Sequence, residues 1–250
     1  MTSTGADQAK PGFLRELISV IVPALLIAGG IQTLLFQPFR IPSGSMRDTL
    51  LVGDYLFVSK FSYGYSRHSL PFSLPLFSGR IFASPPQRGD VVVFRLPRDP
   101  SQDYIKRVIG LPGDAIQVRH SVLYINGEAV PRKRIDDFVD TETRPPSRIE
   151  RWRETLPNGV SYDTLNISDD EPLDNTPIYR VPPGRYFMMG DNRDDSADSR
   201  VLEEVGYVPL DNLVGRAQII FFSIAHGAGA WEFWRWPQDL RWKRLFTWVR

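Results

Sequence analysis

The stretch RGDVVVFRLPRDPSQDYIKRVIGLPGD, residues 88–114, holds two short runs that read as β-strands, GDVVVF and DYIKRVIG. The first is almost continuously apolar. Val, Ile, Phe and Tyr dominate both, as the pleated, half-buried surface of a sheet favours. Working outward, the same composition returns in DYLFVSKFSYG (54–64), AIQVR (115–119), VLYINGEAV (122–130), RYFMMGD (185–191) and VGRAQIIFFSI (214–224), each punctuated by Gly or Pro. Asn126–Gly127 is the dipeptide expected of a tight hairpin. The expectation is a mainly β fold, an antiparallel β-sheet or barrel-like domain, over residues 37–225. Within it, residues 128–179 turn polar and charged, an insertion expected to be partly loop. The proline-rich run 71–89 is expected to be irregular.

Residues 17–36 form a twenty-residue run without a formal charge. That is about the length that crosses ~30 Å of hydrocarbon as a helix. Pro23, Gly29 and Gly30 are tolerated in such a helix. A signal peptide would have a shorter apolar core and a small-residue cleavage site, whereas this run ends in LLFQPFR. One retained transmembrane anchor is expected, preceded by a tail at 1–16. Lys10 and Arg15 on one side are matched by Arg40 and Arg47 on the other, so charge counting leaves the orientation open. The final stretch, within 226–250, interleaves five tryptophans with arginines. Such a tail suits a lipid headgroup zone, or packs on the β domain, or does both.

Composition narrows the chemistry. The formal net charge of +1 gives no reason to expect a nucleic-acid partner, and the absence of cysteine excludes disulfides, thiolate catalysis and cysteine-ligated metal. His68, His120 and His226 sit in no zinc-binding spacing, so neither a metal nor a cofactor is expected. The aspartate-rich GDNRDDSADSR (190–200) lacks the closing glutamate of a calcium loop. It reads instead as a loop locked by charge pairs that involve Asp191, Arg193, Asp198 and Arg200, with partners that spacing leaves open and with Arg107 of DYIKRVIG counted among the residues of that structural loop, presenting a hydroxyl such as Ser196.

Two segments carry a possible reaction. In IPSGSMRDTL (41–50), Pro42 and Gly44 can expose Ser45 on a tight bend, although serines beside glycines are common in ordinary loops. A serine hydroxyl needs a base. In DYIKRVIG the two-residue strand period puts Tyr104, Lys106 and Val108 on one face and Arg107 on the other. An inward Lys106, desolvated by the core, can act as a general base; a solvent-facing lysine on an edge strand cannot.

Taken in order, PSGSMRDTL (42–50), GDYLFVSKFSYG (53–64), RGDVVVF (88–94), DYIKRVIGLPGD (103–114) and GDNRDDSADSR (190–200) resemble the bacterial type I signal peptidases, the Ser/Lys leader peptidases. The resemblance implies a membrane-bound endopeptidase that removes signal peptides from exported preproteins, cutting after small residues, with its catalytic domain on the outer side of the cytoplasmic membrane. It implies Ser45 as nucleophile, Lys106 as general base, Ser196 as the group that orients the lysine, and an oxyanion hole from the Ser45 amide and Ser43 hydroxyl. Phe39, Ile41, Pro42, Tyr104 and Ile105 would line shallow substrate pockets. Asp48 replaces the usual proline and Asp195 the commoner asparagine. Asp195 adds a carboxylate near the base, which favours protonated lysine.

Two rivals fit less of the chain. A self-cleaving repressor-type protease would carry a DNA-binding helix pair where the apolar run stands. A non-enzymatic β module anchored in a membrane gives no reason for all five segments.

Overall fold

The computed structural model describes residues 13–70, 73, 77–140, 145–225 and 232–250, with side chains for all of these except 13–16, 33 and 235. Most of the N-terminal tail, His226 and parts of the proline-rich and polar stretches lie outside them.

Helix α1 spans Phe13–Leu34. Strands β1 (Phe36–Arg40), β2 (Asp54–Ser59), β3 (Val91–Arg95) and β4 (Asp103–Gly110) follow, then β5 (Ala115–Arg119), β6 (Val122–Ile125), β7 (Glu128–Ala129), β8 (Arg132–Asp140), β9 (Ser147–Thr155) and β10 (Ser161–Asn166). The chain continues through β11 (Tyr179–Arg180), β12 (Arg185–Met189), β13 (Val208–Pro209), β14 (Leu213–Ser223), the short helix α2 (Trp236–Asp239) and β15 (Thr247–Trp248). The largest sheet runs β1-β2-β14-β3-β4-β12-β13, with β15 added to β14; β8-β9-β10 and β11-β5-β6-β7 form two smaller sheets. Every strand pairing within these sheets is antiparallel.

The mainly β, antiparallel expectation holds, and so does the hairpin. Asn126 and Gly127 have φ of 55° and 87° between β6 and β7, the left-handed conformation that a two-residue turn demands and that this pair tolerates. The polar insertion is more ordered than its composition implied. Its alternation of charged and apolar residues builds the β8–β9–β10 sheet, with Tyr162 and Leu165 buried and Arg148 and Arg153 exposed.

The N-terminal helix stops at Leu34, and Phe36, expected as the last residue of the anchor, instead opens β1 and pairs with Ser59. Among the described residues no helix is long and apolar enough to cross a membrane; the side chains described without interruption in α1 run only over 17–32. Those of Leu17, Ile18, Val20, Leu25, Leu26 and Ile27 are all exposed.

The tail packs on the β domain. Thr247 and Trp248 pair with Ile220 and Ile219, and Arg244 Nη2 reaches Asp54 Oδ2, a fully buried carboxylate, at 2.5 Å. Phe233, Trp234, Trp242, Phe246 and Trp248 remain exposed.

Candidate active site

Strand β4 is buried on both faces from Ile105 onward. Its pleat therefore sends Lys106 and Arg107 into two different interiors rather than one side chain into solvent. Lys106 shares its face with Tyr104, whose ring centroid lies 5.5 Å from Nζ. Arg107 points the other way.

The serine arrives on a compact turn. The Arg47 amide donates to the Gly44 carbonyl at 2.9 Å and the Leu50 amide to that of Met46 at 2.7 Å. Met46 and Leu50 are wholly buried in the cluster with Leu56, Val58, Val91 and Ile105, so the turn is pinned by apolar side chains on either side of its bend. Ser45 Oγ is left 2.5 Å from Lys106 Nζ, both residues buried.

The GDN segment after β12 closes over this turn. Asn192 donates from its amide to the Ser45 carbonyl at 3.1 Å and from Nδ2 to the Gly44 carbonyl at 3.3 Å. Gly190 allows the approach: a Cβ there would stand 2.5 Å from the Ser45 carbonyl oxygen and 2.6 Å from Ser196 Cβ.

Burial dominates the electrostatics of Lys106. Desolvation lowers its pKa to about 8, while Asp198, Asp191 and Asp195 oppose the shift and Arg200 adds to it. None of these carboxylates is paired with the amine. Asp191 is held by Arg107, Nε to Oδ1 at 2.8 Å and Nη2 to Oδ2 at 2.7 Å, and Asp198 by Arg200, Nε to Oδ1 and Nη2 to Oδ2 both at 2.9 Å. Of these loop residues, Asp198 and Arg200 pair with each other, and Asp191 and Arg193 find partners outside the loop. Asp191 reaches back to β4, and Arg193 pairs with Glu154 of β9 at 2.6 Å. Asp195 is exposed at the mouth of the cleft, which keeps it a lesser influence on the lysine.

Three sequence expectations need correction. Ser196 is buried, but among the described residues its Oγ has no hydrogen-bond partner and does not bond Lys106; it lies against Gly190. Ile41 is 2% exposed and belongs to the core beneath the turn. Phe39 packs half-buried on that same core. Neither lines the cleft of about 400 Å³ beside Ser45, which is bounded by Pro42, Ser43, Tyr104, Ile105, Asp195 and Ala197, among others. Ser43 Oγ lies 3.5 Å from Ser45 Oγ. The Ser45 amide makes no hydrogen bond among the described residues.

Residues with no sequence signal complete the surroundings. Thr49 Oγ1 donates to Asp191 Oδ2 at 2.6 Å, and the Arg107 guanidinium lies 4.2 Å from the centroid of the Tyr162 ring. No group of three or more potential metal ligands occurs among the described residues.

A buried serine and a desolvated lysine in hydrogen-bond contact, beside an open cleft on an antiparallel β scaffold, are an arrangement that suits a serine hydrolase. A family described as "Signal peptidase, peptidase S26" matches residues 14–222. Among curated relatives, signal peptidase I of Rickettsia canadensis (strain McKiel) is 43% identical over 230 residues, 89% of this chain and 83% of that protein. Signal peptidase I of Rickettsia conorii (strain ATCC VR-613 / Malish 7) is 46% identical over 212 residues, 82% and 76% of the two chains. A signal peptidase I from Enterococcus faecalis V583, solved by crystallography, is 32% identical over 53% of this chain and 97% of its own, with a TM-score of 0.31. The chain belongs to the S26 family of signal peptidases, serine peptidases that remove signal peptides.

Proposed function

We propose that Ser45 is the nucleophile and Lys106 its general base in the removal of signal peptides from exported preproteins. The 2.5 Å contact between Nζ and Oγ, out of solvent, is the observation that carries this reading. A protonated Lys106 donates in that contact; once neutral, its lone pair accepts the Ser45 proton. Oγ then attacks the scissile carbonyl carbon, and the electron pair of the C=O moves onto oxygen. The Ser45 amide and the Ser43 hydroxyl are donors available to that oxyanion. Collapse expels the amine of the mature chain, which takes the proton from Lys106 and leaves an acyl-enzyme. Neutral Lys106 next takes a proton from water, the hydroxide attacks the ester carbon, and Ser45 regains its proton as the signal peptide leaves. Pro42, Tyr104 and Ile105 leave shallow space, which favours small side chains before the cut.

Residues 17–36, helical over most of their length with exposed apolar side chains, serve as the membrane anchor. Residues 1–16 then form the cytoplasmic tail, and the catalytic domain at 37–225 works on the outer face of the bacterial cytoplasmic membrane. The exposed aromatics of 226–250 reach the lipid headgroups.

The test is cleavage of a preprotein by the full chain in detergent micelles. Ser45→Ala and Lys106→Ala should each abolish processing while remaining folded, and Lys106→Arg should fail as well, because a guanidinium does not give up its proton. Full activity in any of the three overturns the assignment.

A further inference from the structure

Three consecutive residues behind Ser45 and Met46 are held by side chains from other parts of the fold. Arg47 Nη1 donates to Asp140 Oδ2 at 2.6 Å, at the end of β8. Asp48 Oδ1 accepts from Arg151 Nη1 at 3.1 Å, in β9. Thr49 is tied to Asp191, part of the site already described. The first two ties come from the β8–β9 ribbon, whose Glu154 also pairs with Arg193 of the loop that closes over the turn.

Backbone geometry singles out Asp48. Its φ is 89°, a left-handed value that proline cannot reach and that β-branched or bulky residues rarely take, whereas Asp and Asn are tolerated. A residue in that conformation has to be held there by its surroundings. The Asp48 carboxylate is 10% exposed and Arg151 29%, so water does not fully screen the pair. Arg151 is itself aimed. Its Nε donates to the Asp136 carbonyl at 3.1 Å, and Asp136 sits in the irregular register of β8 between Ile135 and Phe138, where a bulge turns the carbonyl out of the ladder.

We infer that the β8–β9 ribbon is a platform that positions the nucleophile, with Asp48, gripped by Arg151, fixing the turn that presents Ser45 Oγ to Lys106. Asp48 and Arg151 are positioning residues that touch neither substrate nor the reacting atoms. The inference rests on the assignment of Ser45 as nucleophile. A shift of about 1 Å in such a contact can cost on the order of 100-fold in rate.

The experiment compares Asp48→Gly, Asp48→Asn and Arg151→Ala in the full chain with a preprotein substrate, with Ser45→Ala in the same assay. Glycine accepts the positive φ without strain but lacks the acceptor; asparagine keeps both. Asp48→Gly and Arg151→Ala should lower kcat by roughly 10-fold or more with KM within about twofold, a loss smaller than full misplacement would give. Asp48→Asn should recover most of the rate. An unchanged kcat in Asp48→Gly and Arg151→Ala overturns the platform, as does a loss confined to KM, or an Asp48→Asn variant no better than Asp48→Gly. If Asp48→Gly does not fold, Arg151→Ala decides alone, since it changes a ribbon side chain outside the turn. Cleavage by Ser45→Ala would instead overturn the nucleophile assignment on which the platform depends.

Discussion

Lys106 and Arg107 are neighbours on one strand and face opposite interiors. Lys106 meets Ser45 with no carboxylate in contact, and burial lowers its pKa to about 8. For Arg107 burial also lowers the pKa, but the carboxylate of Asp191, bonded in two places, more than offsets it and leaves the pKa raised. One strand period thus separates a base that can lose its proton from a cation that cannot.

A pH dependence follows from the lysine. Only neutral Lys106 accepts the serine proton, so kcat/KM should rise about tenfold per pH unit on its acid limb and level off above about 8. Asp195 favours the protonated amine, so Asp195→Asn should move that limb to lower pH. A pH–rate profile of both enzymes on one substrate checks the direction, and an unmoved or upward-moved limb contradicts it.

The same burial costs stability. The folded pKa of Lys106 lies below that of the unfolded chain, so between about 8 and 10.5 the unfolded state binds more protons and stability from this group rises with pH. Below about 8 the penalty is complete. Lys106→Met should therefore be inactive yet more stable at pH 7, by up to about 3 kcal/mol, with an advantage that shrinks toward pH 10. Thermal melts at pH 7 and 9.5 measure it.

Removing one partner of the Arg107–Asp191 pair strands the other charge in a dry interior, since the two side chains are 0% and 1% exposed. Asp191→Ala should destabilise the protein by about 3–5 kcal/mol, as buried pairs do when broken. Activity should fall with it, because Asp191 also holds Thr49 of the serine turn. Urea denaturation gives the stability change.

Ser196 offers a contrasting case. Its buried hydroxyl has no hydrogen-bond partner among the described residues, so Ser196→Ala removes an unsatisfied group and should leave stability unchanged or raise it by up to about 1 kcal/mol. A loss of more than that amount by calorimetry would mean that the hydroxyl is bonded in solution.

Much of this site was legible in the linear chain because the signals were local. Strand period alone separated Lys106 from Arg107, and Asn126–Gly127 marked its hairpin. The pocket assignments failed at Phe39 and Ile41, because whether an apolar side chain borders a cleft or fills the core beneath depends on what the neighbouring turn buries. Met46 and Leu50 bury with Ile41. The partners in the GDN loop stayed open for a related reason: Asp198 pairs locally with Arg200, but Asp191 and Arg193 find partners 84 and 39 residues away.

By itself, the sequence determined a mainly β chain behind an apolar run at 17–36, no thiol chemistry, and a serine and a lysine on segments able to expose one and bury the other. Those properties come from backbone period, composition and turn chemistry, all set within a few residues. Tertiary structure alone decided that Ser45 and Lys106, sixty-one positions apart, stand in contact, that Ser196 makes no hydrogen bond to the lysine, and that a charged ribbon grips Asp48. Long-range contacts depend on which distant strands and loops the fold brings together, and no local pattern encodes that.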